Sequence, residues 1–271
     1  MQGFKKRGLG VAAVSYDSVE IVKDFATRKR ISFPLLSDPE SKVIRAFGLL
    51  NEADYKPGSL EHGVPYPGTF VTDAAGIVRS KFFEKTYVER RTAASVLALA
   101  GEGPGAGAGD VRNDLFTLRL SASNALAAPG QHVTLLLDFE MRPNMHAYAP
   151  GVQGYRPLRL RLEGHPLVTL HEPVFPASKP YHFAPLNETV PVFEGRFRVM
   201  QDITLAGGRQ FAELLKSEDA RLELAGTLDY QVCSDRICHA PAALPVRFTI
   251  KVVPLDRERA PEAMRRKPPP G

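Results

Sequence analysis

Residues 228–241 read Leu-Asp-Tyr-Gln-Val-Cys-Ser-Asp-Arg-Ile-Cys-His-Ala-Pro, and this stretch holds both cysteines of the 271-residue chain, Cys233 and Cys238. The four residues between them suit a tight hairpin connection that places the cysteines opposite each other on paired strands. Opposite positions lie about 4.5–5.5 Å apart, within the separation that a disulfide needs. Closing so small a ring removes little chain entropy, about 2 kcal/mol on the entropic model. The spacing therefore favours a disulfide that switches, while an inert hairpin disulfide stays open as the alternative.

A metal site built on the same cysteines is a second alternative. Cys233, Cys238 and the adjacent His239 supply three ligands, whereas a structural zinc ion takes four and prefers shorter cysteine spacings. Covalent haem needs Cys-x-x-Cys-His, which this spacing does not match. Asp235 and Arg236 affect a nearby thiolate in opposite directions, so their net effect stays open. We expect no metal and no cofactor at this site.

The chain around the cysteines is rich in Val, Leu, Phe and Thr and is punctuated by Pro, Gly and Asn. Short strand-like segments recur near residues 115–121, 132–140, 157–163, 167–172, 190–200, 221–232 and 243–253. Many short strands without long helices between them are typical of a β-sandwich. We therefore predict an all-β domain over residues 115–254, followed by a disordered tail over residues 255–271.

The first hundred residues show a different pattern, in which strands alternate with helices. A continuous apolar run at residues 9–16 is typical of a strand buried on both faces. The further predicted elements are a helix at 19–30, a strand at 33–36, a helix at 38–47, a hairpin at 69–83 with Gly76 in its turn, and a closing helix at 86–100. This β-α-β-α-β-β-α order predicts a mixed α/β domain over residues 1–100.

The segment between the two halves is rich in glycine. Residues 101–109 hold five glycines and one proline. Such a composition offers few side chains to pack, so we expect a flexible linker over residues 101–114.

Composition excludes several classes of function. The net charge of +5 is mild for this length, and no basic stripe is interleaved with aromatic residues, so no nucleic-acid partner is expected. No apolar run approaches the roughly 20 residues that span a bilayer, so no transmembrane segment is expected. Two cysteines also exclude a disulfide-rich scaffold.

The second half resembles the N-terminal domain of the DsbD family over residues 115–253. The resemblance rests on residues 228–241, on Met-His-Ala-Tyr-Ala-Pro at 145–150 and on Leu-Asn-Glu-Thr-Val-Pro-Val-Phe-Glu-Gly at 186–195. It implies an immunoglobulin-like β-sandwich in which Cys233 and Cys238 are the catalytic pair, with Cys238 the better analogue of the attacking residue. It also implies exchange with thioredoxin-like redox proteins or a membrane electron donor of the DsbD type, in an oxidising compartment such as a bacterial periplasm.

The same resemblance implies the surroundings of the cysteines. Members of the family shield the pair with an aromatic cap loop, and Tyr181, His182 and Phe183 stand at the matching place. His146 and Tyr148 match a strand that lines the cysteines. An ordinary core role for these aromatic residues is the alternative at each position.

The first half resembles the peroxiredoxin (AhpC/TSA) redoxin family, whose fold is thioredoxin-like. The resemblance rests on Val-Ala-Ala-Val-Ser-Tyr-Asp-Ser at 11–18, Phe-Pro-Leu-Leu-Ser-Asp-Pro-Glu at 33–40 and Pro-Gly-Thr-Phe-Val-Thr-Asp-Ala-Ala-Gly-Ile-Val at 67–78. It implies that Pro67 is a cis-proline facing the catalytic cysteine, at a cost of about 0.5–1 kcal/mol over trans. A loop proline before a strand is the alternative.

The catalytic cysteine of that family is missing, because residues 1–232 hold no cysteine. A thiolate is the nucleophile in both peroxide reduction and disulfide exchange, so we expect neither reaction from this half. We expect a thioredoxin-like domain truncated at its N-terminus, with the cysteine and a signal peptide upstream; a degenerate docking module is the alternative.

Together these features predict a thiol–disulfide oxidoreductase that passes electrons through Cys233 and Cys238. Two alternatives remain open: a peroxiredoxin-like antioxidant enzyme in a longer parent protein, or a non-enzymatic binding module with a structural disulfide.

Overall fold

A computed structural model describes residues 2–5, 8–52, 54–56, 59, 62–84, 89–99, 105–183, 187–256, 258 and 261–264. The chain divides into two compact units, one formed by Met1–Arg90 and Asp256–Gly271 and the other by Arg91–Leu255. Each unit is described by itself.

The first unit alternates short strands with short helices. Its elements are α1 (Gln2–Lys5), β1 (Ala13–Ser15), α2 (Val19–Arg28), β2 (Leu35–Ser37), α3 (Lys42–Ala46), β3 (Gly68–Thr72), β4 (Val78–Phe83) and, at the boundary, β5 (Arg90–Arg91). Strands β1 and β2 pair in parallel, while β3 and β4 form an antiparallel hairpin. The predicted α/β order up to the hairpin is confirmed, and the finer assignment to a thioredoxin-like fold stays a prediction.

Local chemistry explains the elements of this unit. The Ser18 hydroxyl caps α2 by accepting the Ile21 N–H, as serine commonly does before a helix. In the hairpin turn, Asp73 Oδ1 accepts the N–H groups of Ala75 and Ile77. Gly76 takes a φ of +80° there, a value that glycine adopts without a steric penalty.

The prediction of a cis bond before Pro67 is wrong. No peptide bond within the described ranges is cis, so the bond from Tyr66 to Pro67 is trans. Trans is the lower-energy isomer of an X–Pro bond. The Pro67 carbonyl accepts the Glu84 N–H and so extends the pairing of β3 with β4.

Part of the tail predicted to be disordered makes ionic contacts within the first unit. Lys29 Nζ lies 2.6 Å from an Asp256 carboxylate oxygen and also contacts Glu258, and Arg28 lies 2.9 Å from Glu258. Residues 262–264 form a short 3₁₀ turn. The prediction of disorder is therefore wrong for these residues, and residues 265–271 lie outside the described part of the chain.

The second unit consists mainly of strands. They are β6 (Ala106–Arg112), β7 (Phe116–Ala122), β8 (Leu126–Ala127), β9 (Gln131–Met141), β10 (His146–Tyr148), β11 (Arg159–Leu162), β12 (Val168–Val174), β13 (Lys179–Phe183), β14 (Glu188–Glu194), β15 (Arg196–Leu205), β16 (Arg221–Tyr230), β17 (Val232–Cys233) and β18 (Ala242–Val252). They form three sheets with the orders β12-β15-β9-β7-β6, β11-β16-β18-β8 and β13-β14-β10-β17. The predicted all-β second half is confirmed.

The core of the second unit lies between the first two of these sheets. Strand β9 contributes Val133, Leu135 and Leu137, which alternate along the strand and are fully buried. The same core includes Leu222, Leu224 and Leu228 from β16 and Val246, Phe248 and Ile250 from β18. Inward-facing residues of two sheets that share one core are the mark of a sandwich.

The predicted linker is partly wrong, because residues 106–112 form strand β6. This strand pairs with β7, with Asp110 opposite Arg119 and Val111 opposite Leu118. Strand pairing needs only backbone donors and acceptors, which a glycine-rich segment also provides. Residues 101–104 lie outside the described part of the chain.

The predicted closing helix of the first half belongs to the second unit instead. Its predicted start at residue 86 is not described, and the helix α4 spans Ala93–Leu99. Buried Ser95 lies 2.8 Å from the Thr134 hydroxyl of β9, which in turn donates to an Asp202 carboxylate oxygen 2.6 Å away. These hydrogen bonds fasten α4 to the face of the sheet that includes β9 and β15. No helix in the described ranges exceeds the ten residues of α2, and none has the length or apolarity to cross a membrane.

We expect Gly226→Ala to destabilise the sandwich, because β11 and β16 approach closely there. A Cβ atom at Gly226 would lie 2.4 Å from the Arg161 carbonyl oxygen and 2.9 Å from Leu162 Cα. Both are backbone atoms, so the strands must separate, and we expect the free energy of unfolding in urea to fall by about 1–3 kcal/mol. Gly207→Ala is the matched control, since its Cβ would meet nothing within 4 Å. Equal losses in both variants would contradict the close approach as the cause.

Candidate functional site

Backbone pairing places the two cysteines at the end of the third sheet. Strand β17 pairs with β10, with Cys233 opposite His146. On its other side β10 pairs with β14, with His146 opposite Glu194 and Tyr148 opposite Val192. Cys233 and Cys238 face each other across an isolated antiparallel bridge, with Cα atoms 4.1 Å apart, and are joined as a disulfide.

The turn between the cysteines is held by one serine. Ser234 Oγ accepts the N–H groups of Arg236 and Ile237, and the Ser234 N–H donates to the Ile237 carbonyl at 2.8 Å. The His239 N–H then donates to the Val232 carbonyl at 3.0 Å and closes the bridge. This is the tight connection that the spacing of the cysteines predicts.

The two sulfurs differ sharply in access. Cys233 is 1% exposed and packs with Tyr148 and Val192, whereas Cys238 is exposed. Disulfide exchange requires a thiolate to approach one sulfur of the bond. Of the two sulfurs, that of Cys238 is therefore the one that an external thiolate can reach.

Tyr148 is the side chain that contacts both sulfurs. Its hydroxyl lies 3.1 Å from Cys233 Sγ and 3.6 Å from Cys238 Sγ. Burial, reinforced by the nearby Tyr155 and Glu188, raises the pKa of Tyr148 to about 12. The phenol therefore stays protonated at neutral pH and can donate a hydrogen bond to the sulfur of Cys233.

His146 lies on the same side of the sheet as Tyr148 and is 3% exposed. Its ring meets that of Tyr148 edge-on at 5.6 Å and that of Tyr181 at 4.2 Å. Burial lowers the pKa of His146, and the charge of Glu194 opposes this only in part. The imidazole is thus held neutral close to the disulfide.

The structure separates the three predicted cap residues. Tyr181, on the edge strand β13, is half-buried and packs against the cluster of Tyr148, Val192 and Cys233. His182 is exposed, with Nδ1 3.3 Å from the Thr189 hydroxyl. Within the described residues Phe183 is not part of that cluster. Tyr181 is therefore the aromatic residue of β13 that packs beside the buried cysteine, its role as a cap stays a prediction, and residues 184–186 are not described.

One aromatic residue of the site was missed by sequence reasoning. Tyr155 stacks on Tyr148 with ring centroids 4.3 Å apart, and its hydroxyl donates to Glu188 at 2.9 Å. The Glu188 carboxylate raises the pKa of Tyr155. Tyr155 lies in a loop with no hydrophobic period, so no local pattern in the sequence marks it.

Comparison with known proteins matches each half to a redox family. Residues 1–81 match the AhpC/TSA family, and residues 118–249 match the family described as "Thiol:disulfide interchange protein DsbD, N-terminal". Both resemblances inferred from the sequence are thereby confirmed. The chain thus carries two segments, each of which matches one of these families.

Three individual proteins are similar to parts of this chain. The chain is 37% identical over 76 residues to "Peroxiredoxin Q, chloroplastic" from Sedum lineare, a match that covers 28% of this chain and 37% of that protein. The N-terminal periplasmic domain of ScsB from Proteus mirabilis aligns over 53% of this chain and 50% of that one, with 14% identity and a TM-score of 0.34. The N-terminal domain of DsbD from Neisseria meningitidis, in its reduced form, aligns over 51% of this chain and 85% of that one, with 17% identity and a TM-score of 0.32.

We expect Tyr148→Phe to make the disulfide harder to reduce. The Tyr148 hydroxyl binds a departing Cys233 thiolate better than a neutral disulfide sulfur, so its loss raises the barrier to reduction. A hydrogen bond worth about 1 kcal/mol corresponds to a roughly fivefold lower rate constant for reduction by dithiothreitol. Tyr230→Phe is the matched control, since it removes a hydroxyl from a ring that packs edge-on against Phe116 in the main core of the same unit. A rate constant unchanged in Tyr148→Phe would contradict this role.

We expect His146 to make the protein less stable in acid. Its pKa is lowered in the folded state, so the unfolded chain takes up the proton first as the pH falls. Stability is full above the ordinary histidine pKa of about 6.5 and declines below it, because the unfolded state binds more protons there. Urea unfolding at a series of pH values between neutrality and pH 5 would show a smaller decline in His146→Gln than in the wild type. His182→Gln, at an exposed histidine, serves as the control and should keep the wild-type slope.

Proposed function

We propose that this chain is a thiol–disulfide oxidoreductase that passes two electrons at a time through Cys233 and Cys238. The observation that carries the proposal is the asymmetry of the pair, with an exposed Cys238 bonded to a buried Cys233 beneath the Tyr148 hydroxyl. A purely structural disulfide does not need a solvent-exposed sulfur, whereas disulfide exchange does.

The reaction follows from this arrangement. A thiolate of a protein dithiol attacks Cys238 Sγ and forms a mixed disulfide, while the Cys233–Cys238 bond breaks and Cys233 leaves as a thiolate. Tyr148 stabilises this thiolate by its hydrogen bond, and solvent supplies the proton that Cys233 finally takes. The second thiol of the partner then attacks the partner's own sulfur in the mixed disulfide and releases Cys238. The partner is oxidised and the pair is reduced by two electrons.

The partners and compartment follow from the redox class. Thioredoxin-like proteins and a membrane electron donor of the DsbD type carry the dithiols that this reaction uses. A disulfide that persists between turnovers requires an oxidising compartment, and the periplasm meets that condition. The family match at residues 118–249 supports both points.

A peroxiredoxin-like antioxidant activity is the second candidate, for a longer protein that contains this chain. The observation that favours it is the match of residues 1–81 to the AhpC/TSA family, along with the identity to a peroxiredoxin. The chain spans 37% of the length of that relative, and residues 1–232 contain no thiol. Peroxide reduction would therefore need a cysteine from outside these residues, with the reduced Cys233 and Cys238 dithiol of the second unit as its electron source.

We expect Cys233→Ser to form a mixed disulfide and Cys238→Ser to form none. The test mixes each variant of the full chain with a thioredoxin that keeps only its attacking cysteine, activated as a thionitrobenzoate disulfide. Release of the coloured thiol and a covalent adduct on a non-reducing gel report exchange. Cys238 in the first variant is exposed and reacts, while Cys233 in the second is buried and does not.

The opposite results would overturn the proposal. No adduct with Cys233→Ser, together with a reduction potential of the wild-type pair below about −300 mV, would make the disulfide a structural staple. The chain would then be a binding module. Equal adducts from the two variants would contradict the assignment of Cys238 as the attacked sulfur.

A further inference from the structure

The turn between the cysteines presents one large apolar side chain to solvent. Ile237 is 63% exposed and directly precedes the exposed Cys238. Its neighbours in the turn, Asp235 and Arg236, have side chains that are 62% and 86% exposed. An aliphatic side chain inside a charged turn gains little from the fold when most of its surface stays in water.

The backbone holds Ile237 in one position. Its N–H donates to Ser234 Oγ at 3.0 Å, and its carbonyl accepts the Ser234 N–H at 2.8 Å. The backbone of Ile237 is therefore fixed next to Cys238 before any partner arrives. A preorganised contact loses less conformational entropy on binding than a mobile one.

A concave surface begins at the same turn. Asp235 lines a groove of about 480 Å³ whose wall also includes Met141, Met145, His146 and Tyr181. The groove therefore shares His146 and Tyr181 with the surroundings of the disulfide and Asp235 with the turn that carries Ile237. An apolar anchor beside a groove with a charged rim is the usual anatomy of a protein-binding surface.

We propose that Ile237 is the anchor by which this chain docks a folded protein dithiol whose surface beside the attacking thiol is apolar. The inference rests on the proposed function and names the kind of partner that its site takes. A thiolate that attacks Cys238 Sγ approaches in line with the Cys233–Cys238 bond, from the solvent side of Cys238. The partner's surface around that thiolate then covers Ile237, the residue next to the attacked sulfur. A small thiol reaches the sulfur without making this contact.

The test compares a protein reductant with a small one on the oxidised full chain. Rate constants for reduction by reduced thioredoxin and by dithiothreitol are measured by rapid quenching with an alkylating agent, and their ratio is taken for each variant. We expect the ratio to fall about tenfold in Ile237→Ser, the size of effect typical of an interface anchor. Ile237→Leu should restore most of it. Leu126→Ser is the matched control, since Leu126 is 52% exposed on β8, in a different sheet from the disulfide, and should keep the wild-type ratio.

The outcomes separate this inference from the proposed function. A wild-type ratio in Ile237→Ser, with thioredoxin still reducing the disulfide, overturns the anchor and leaves the electron carrier standing. An equal fall in Leu126→Ser also overturns it, because the loss then does not depend on the turn. Failure of thioredoxin to reduce the wild-type disulfide, while dithiothreitol succeeds, overturns the proposed function and the anchor with it.

Discussion

The antiparallel register between β10 and β17 determines which sulfur of the disulfide is buried and which is exposed to solvent. With Cys233 opposite His146, the first sulfur lies against the core of its sheet, and β17 ends directly after it. The chain then turns through Ser234 and brings Cys238 back on the exposed side. Tyr148 stands two residues beyond His146 and so shares its face of the strand, which places its hydroxyl on the buried sulfur. A slip of one residue would turn every one of these side chains to the other face.

Burial also settles the charge state around the sulfurs. It raises the pKa of Tyr148 and lowers that of His146, so both rings are neutral near pH 7. A neutral disulfide is compatible with such a pocket, and a buried thiolate there depends on the hydrogen bond from the phenol. The charged residues of the turn, Asp235 and Arg236, lie in water, where their fields are screened. The Tyr148 hydroxyl therefore influences reduction of the disulfide more directly than the charges of Asp235 and Arg236 do.

How far the sequence predicts this molecule depends on the kind of interaction involved. The tight connection between Cys233 and Cys238 follows from their spacing, and His146 and Tyr148 follow from the resemblance to a family. The glycine-rich composition of residues 106–112 does not predict strand β6, because pairing with β7 uses backbone groups that glycine supplies as well as any other residue. Helix α4 has a recognisable apolar face, yet periodicity does not say which core that face covers. Tyr155 lies in a loop and contacts Tyr148 from there. Contacts made from a loop produce no periodic pattern in the sequence, so they cannot be predicted from periodicity.

A single open sulfur limits how an electron carrier of this design can work. The 271 residues include one pair of cysteines, and Cys238 is its accessible member. On the proposed function, electrons that enter by attack on Cys238 also leave through Cys238, because Cys233 stays beneath Tyr148. The donor and the acceptor must then use the same turn and the same apolar neighbour, Ile237. Two proteins cannot occupy that surface together, so each must leave before the other docks. Binding therefore has to be weak enough for release and still place a thiolate in line with the Cys233–Cys238 bond.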